Sequence, residues 1–124
     1  MNVRDTIAAA RVGEPTRQPD GTVTLEFKFS AGDPVFAGHF PNRPVLPGVF
    51  QLEMARAAAE WALGCRLAIR EVGRAKFQRP ILPEDAVRLD LKLSETDGMI
   101  QARAGFSAGG EPAGETLLTL WRND

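Results

Sequence analysis

Apolar and polar residues alternate with a period of two along three stretches of the chain. In residues 22–29, Val23, Leu25, Phe27 and Phe29 interleave with Thr22, Thr24, Glu26 and Lys28. In residues 87–94, Val87, Leu89, Leu91 and Leu93 interleave with Arg88, Asp90, Lys92 and Ser94. In residues 99–107, Ile100, Ala102, Ala104 and Phe106 share one face. Strict alternation predicts half-buried strands. Thr96, Asp97 and Gly98 predict a hairpin turn between the second and third of them. Residues 109–112, Gly-Gly-Glu-Pro, predict another turn, followed by a last strand over 115–121 with Leu118 and Leu120 about Thr119. Residues 67–77 form a further strand candidate, in which Gly73 marks a bulge or a close backbone approach.

The period changes to a helical one over residues 49–64, VFQLEMARAAAEWALG. At roughly 100° per residue, Glu53, Arg56 and Glu60 fall on one narrow polar stripe, and the rest of the girth is apolar. A helix of that kind is wrapped by other structure. Residues 13–21 and 30–34 are turn-rich, and for residues 6–12 propensity leaves a short strand and a helical turn both open. One buried helix among short-turned antiparallel strands is an α+β pattern, with the sheet around the helix.

Composition changes this picture little. A chain of 124 residues suits one compact domain over residues 1–124, and no internal repeat divides it. The net charge of −1 gives no bulk attraction for nucleic acid. No apolar run approaches the length of a membrane span, and the first fifteen residues lack the apolar stretch of a secretory signal, so the expected compartment is the cytoplasm. A single cysteine, Cys65, excludes an internal disulfide, and with a single histidine it cannot build a usual zinc site. There is no phosphate-binding or dinucleotide-binding glycine motif and no serine-hydrolase elbow, so neither a metal nor a bound cofactor is expected.

The candidate chemistry lies in residues 38–53, GHFPNRPVLPGVFQLE. The only histidine, His39, sits in a segment stiffened by Pro41, Pro44 and Pro47. The helix that follows starts after Leu-Pro-Gly with no capping side chain, so its first N–H groups have no internal partner. With the helix dipole and the missing Cβ of Gly48, the N–H groups of Gly48 and Val49 are candidates to hold a developing oxyanion. Glu53, on the mostly apolar helix, is expected in a dry slot, where burial favours the neutral form of a carboxyl group and suits a general acid. Each feature also has an ordinary reading: a structural histidine, a Glu53–Arg56 pair one turn apart, and a helix start satisfied by water.

Taken together these residues resemble the signature of the hot-dog-fold β-hydroxyacyl-(acyl-carrier-protein) dehydratases, the FabZ/FabA group. His39, Phe40, Pro41, Pro44, Val45, Pro47, Gly48, Val49 and Glu53 match that signature, and residues 75–85, AKFQRPILPED, resemble the strand and turn that follow the helix there. The resemblance implies a long central helix wrapped by a curved antiparallel sheet, in a homodimer or higher homo-oligomer. Each site then joins the histidine of one chain to the acid of the other. It implies His39 and Glu53 as the catalytic pair, Gly48 and Val49 as the oxyanion site, and a substrate carried on the phosphopantetheine arm of an acyl carrier protein. Because such carriers are acidic, Arg70, Arg74, Lys76 and Arg79 become a docking surface, against the plainer reading of charges that guard a sheet edge.

Glu at position 53, where the isomerising branch has Asp, implies plain dehydration. The aryl-polyene, ApeI-like branch is similar too. The chain has no tyrosine, so the gate that family members make of tyrosine falls to a phenylalanine or is missing. Two other classes stay open: a hot-dog thioesterase, and a non-catalytic carrier-binding subunit of a heterodimer.

Overall fold

A computed structural model of the chain describes residues 2–36 and 44–123. The first element is a helix, α1 (Val3–Ala10), capped by Asn2, whose side-chain oxygen accepts the N–H of Asp5 at 3.2 Å. This decides residues 6–10 for helix, while Arg11 is extended and bridges Phe27, and the cap before an acid in the first turn is the signal that the alanine run obscures. Then come β1 (Thr16–Arg17), β2 (Val23–Phe27), a 3-10 turn (Pro34–Phe36) and the central helix α2 (Gly48–Leu63). Four long strands follow: β3 (Leu67–Phe77), β4 (Val87–Thr96), β5 (Met99–Ala108) and β6 (Glu111–Arg122).

Among the described residues the strands form one antiparallel sheet in the order β1-β2-β4-β5-β6-β3. Asp97 and Gly98, both with positive φ, make the two-residue turn that the twist of a β4–β5 hairpin favours. The turn expected over residues 109–112 is confined to Gly109 and Gly110, and β6 starts four residues before the expected strand. Pro112 is tolerated there because it lies at a register shift opposite Ser107, where the ladder is already interrupted. Gly73 falls at one of two register shifts of β3, where an added Cβ would come within 3.4 Å of the Leu117 carbonyl.

The alternation read from the sequence is the core. Leu89 and Leu91 of β4, Ala102 and Ala104 of β5, and Leu118 and Leu120 of β6 are fully buried. They share one cluster with Met54, Ala55, Ala58 and Ala59 of α2, whose small side chains let the helix lie close to the sheet. α2 packs on β3, β4, β5 and β6, and α1 covers part of the helix. β3 is the outer strand, and every residue from Arg70 to Gln78 is exposed. Among the described residues no helix is long and apolar enough to cross a membrane.

Candidate active site

The start of α2 is open, as the sequence predicts. Pro47 stands at the N-cap with no side-chain hydrogen bond, and the Pro47 carbonyl already accepts the N–H of Phe50 at 2.9 Å. Among the described residues the N–H groups of Gly48 and Val49 meet no acceptor. They stand beside a cleft of about 390 Å³ lined by Val45, Leu46, Gly48, Gln51, Phe77 and Pro80. That size suits part of a small ligand, and the walls are mostly apolar. The Phe77 ring lies so close over the helix start that a Cβ on Gly48 would come 2.8 Å from its Cε2. Gly48 therefore serves twice, by opening its N–H and by admitting the ring.

Two residues of this cleft are not among the candidate site residues read from the sequence. Gln51, one turn beyond Gly48, is buried, and its Oε1 has no hydrogen-bond partner among the described residues. It rests over β6 at Gly114, where a Cβ would come within 2.8 Å of that oxygen and 2.7 Å of the Lys76 carbonyl. Phe77, half exposed, forms part of the cleft wall. A polar residue in an apolar helical run is the only signal for Gln51. For Phe77 the signal is its place in the 75–85 segment, which gives it no role at the cleft.

Glu53 is elsewhere. It lines a separate, polar cleft between α1, α2 and the beginning of β3, with Arg4, Arg56, Arg66 and Asn123. The expected dry slot is not found: the Glu53 side chain is 28% exposed. Its Oε2 accepts a hydrogen bond from Arg56 Nε at 2.7 Å and lies 2.5 Å from Arg56 Nη2. Glu53 stays partly exposed because it lies at an open polar cleft between α1, α2 and the start of β3, while Arg56 and Glu60 on the same stripe are largely buried. A single chain thus does not bring Glu53 to the Gly48 cleft. His39 lies outside the described residues.

The four basic residues of the docking expectation separate. Arg79 reaches the Gly48 cleft, with its guanidinium donating to the Ala108 carbonyl and lying 3.8 Å from Glu111. Arg74 pairs with Glu115 at 2.8 Å, and Arg70 stacks on the Trp121 ring at 5.3 Å. Lys76 is exposed, with no ion pair among the described residues. The acids that offset this patch come from β6, which sequence neighbours alone do not reveal.

Comparison with solved structures gives the class. The dehydratase heterocomplex ApeI:P from Xenorhabdus doucetiae superposes with a TM-score of 0.75 at 21% identity, over 90% of this chain and 96% of that one. The fold is the hot-dog fold. The family model described as ApeI-like, ApeI dehydratase, matches residues 15–111, and the chain belongs to that dehydratase family. A 3-hydroxyacyl-[acyl-carrier-protein] dehydratase FabZ from Pelotomaculum thermopropionicum is 36% identical over 108 residues, covering 80% of this chain and 77% of the relative. The FabZ of Histophilus somni is 39% identical over 102 residues, covering 75% and 68%.

Proposed function

We propose that this chain is a (3R)-hydroxyacyl-[acyl-carrier-protein] dehydratase that forms trans-2-enoyl thioesters. The observation that carries the proposal is the uncapped start of α2 opening on an apolar cleft, within a sequence related to the FabZ enzymes. Elimination of water from a 3-hydroxyacyl thioester requires a base at C2, donors for the carbonyl oxygen as charge gathers there, and an acid for the departing hydroxyl. His39 is the base. The N–H groups of Gly48 and Val49 are the donors. Glu53 of a second copy is the acid, which accords with its distance in kind and place from the Gly48 cleft. The acyl chain lies along Val45, Leu46 and Phe77, and no cofactor is needed beyond the carrier's phosphopantetheine arm.

Several features support a second copy. The outer edge of β3 has no strand beside it among the described residues, and Val49, Val72 and Phe77 expose apolar surface near it. An acidic carrier protein docks on the basic residues Arg70, Arg74, Lys76 and Arg79, of which Lys76 is the least committed within the chain. The reaction belongs to the cytoplasm, in fatty-acid synthesis or a related aryl-polyene or polyketide pathway.

The test is the absorbance of a short trans-2-enoyl thioester of an acyl carrier protein during hydration, for the wild type, His39→Ala and Glu53→Gln. Turnover by the wild type that falls about a hundredfold or more in each variant is the expected result. Release of free carrier thiol instead would establish a thioesterase. A chain that binds the carrier and turns over no enoyl or hydroxyacyl length is a non-catalytic subunit, and the proposal is then wrong.

A further inference from the structure

The central helix carries an ionic chain that the fold does not call for. Arg56 is 5% exposed in a helix whose other buried positions include Ala55, Ala57, Ala58 and Ala59. Burying a guanidinium is unfavourable, and an apolar side chain in such a place is often as stable or more so. Arg56 nonetheless sits there between two carboxylates. Its Nε and Nη2 converge on Glu53 Oε2, at 2.7 and 2.5 Å, and its Nη1 lies 2.9 Å from Glu60 Oε1. The last contact lacks the alignment of a hydrogen bond, so the directed bonding of Arg56 is spent on Glu53. Glu60 is anchored in turn: its Oε2 accepts the Leu67 N–H at 2.8 Å and lies 3.2 Å from Arg4 Nη2.

The directed hydrogen bond from Nε, with Nη2 close beside it, holds Oε2 of Glu53 in place and anchors the carboxyl group through that oxygen. The other oxygen, Oε1 of Glu53, forms no hydrogen bond among the described residues. We propose that Arg56 is a positioning residue for Glu53: it grips Oε2, presents Oε1 to the 3-hydroxyl of the substrate, and takes up the charge left when Oε1 gives its proton away. This rests on the dehydratase reading above. In that step the C3–O bond breaks with its electron pair going to oxygen, and the proton of Oε1 completes water. The C2–H pair closes the C2–C3 double bond as His39 takes the C2 proton. Glu53 ends as a carboxylate held against Arg56, and Glu60 keeps the guanidinium from following it outward.

The experiment compares kcat and KM for a 3-hydroxyacyl thioester of the carrier protein in wild type, Arg56→Lys, Glu53→Gln and the Glu53→Gln/Arg56→Lys double variant, with thermal melting of each. Lysine keeps the charge and loses the directed Nε–H bond to Oε2, so Arg56→Lys should lower kcat about tenfold and leave KM within about twofold. Because Arg56 acts through Glu53, the double variant should be no slower than Glu53→Gln alone. Glu60→Gln, which keeps Arg56 and loosens its other anchor, should lower kcat by about threefold with KM unchanged, and it decides the matter if the lysine variant does not fold. A folded Arg56→Lys or Glu60→Gln variant at the wild-type rate overturns the proposal. So does a double variant slowed by the full product of the two single losses. Glu53→Gln at the wild-type rate overturns the role of Glu53 itself, and a slow Glu53→Gln beside a fast Arg56→Lys overturns only the role of Arg56.

Discussion

The two flanks of α2 are chemical opposites. At its start, Gly48 lines an apolar cleft, and a buried amide oxygen, Gln51 Oε1, has no partner among the described residues. Five residues on, Glu53 stands in a polar cleft where Arg56, Glu60 and Arg4 are joined in a chain of opposite charges. One flank has unused backbone donors and a single guanidinium, Arg79, in its lining, and the other has a chain of charges that largely match one another. Helix geometry explains why they remain apart. Five residues turn a helix by roughly 140° beyond a full circle and advance about 7.5 Å, so the side chain of Glu53 leaves from a different flank than the N–H of Gly48. Chemistry that needs an oxyanion site and an acid together is therefore built more easily from two copies of α2 than from one.

The largest expected effect tests that division. A protein carrying His39→Ala and one carrying Glu53→Gln should each lose about a hundredfold or more in rate. If each site joins the histidine of one chain to the acid of another, subunit exchange between the two proteins recreates one intact site in every mixed dimer. Mixing and refolding the inactive variants should then restore about a quarter of wild-type activity, since half of the dimers are mixed and each has one good site of two. Activity that stays at the level of the separate variants would place both groups in one chain and remove the contrast between the flanks.

A smaller effect is expected at the apolar flank alone. The Cβ of Gly48→Ala would press on the Phe77 ring at 2.8 Å, and that ring is half exposed and free to swing away. The fold should lose little, about 1 kcal/mol or less in urea unfolding, because what must move is the end of a side chain at the surface. The cleft should lose more, with KM for the acyl thioester raised about tenfold. In a Phe77→Ala background the same Gly48→Ala change should add almost nothing, because the clashing partner is gone. Equal losses in both backgrounds would mean that Gly48 matters for its N–H geometry and not for the ring.

How much of this was legible follows from the kind of signal each residue carries. β4 alternates from Val87 to Leu93 and β5 from Ile100 to Phe106, and the structure pairs them in a single register without a shift. The helix start was legible as well, since Leu-Pro-Gly contains no capping side chain and Pro47 makes no capping bond. The start of β6 was not, because a glycine pair and a proline read as one turn, whereas the ladder tolerates Pro112 at a register shift. The surroundings of Glu53 were misread for a physical reason. Helical periodicity puts Glu53, Arg56 and Glu60 on one stripe, yet it cannot say that α1 and the Leu67 N–H meet that stripe. Likewise the offset of Arg74 by Glu115 depends on strand pairing between β3 and β6, which no local pattern encodes.

The smallest expected effect lies at the far end of the charged flank. Arg4 touches Glu60 at 3.2 Å from α1 and is about one-third exposed, so water already screens much of the attraction. Arg4→Met should reduce stability by about 1 kcal/mol at most, read as a small shift in the urea midpoint. Glu60 keeps the Leu67 N–H at 2.8 Å and the Arg56 guanidinium at 2.9 Å after Arg4 is gone, so its carboxylate has little reason to move. Turnover should therefore stay within about twofold of the wild type, in contrast to the loss expected from Arg56→Lys. A fall in kcat as large as that of Arg56→Lys would show that the ionic chain transmits a change at the surface of α1 all the way to Glu53. The polar flank would then be a coupled unit, and the difference between the two flanks would extend from their chemistry to how far each responds to changes outside it.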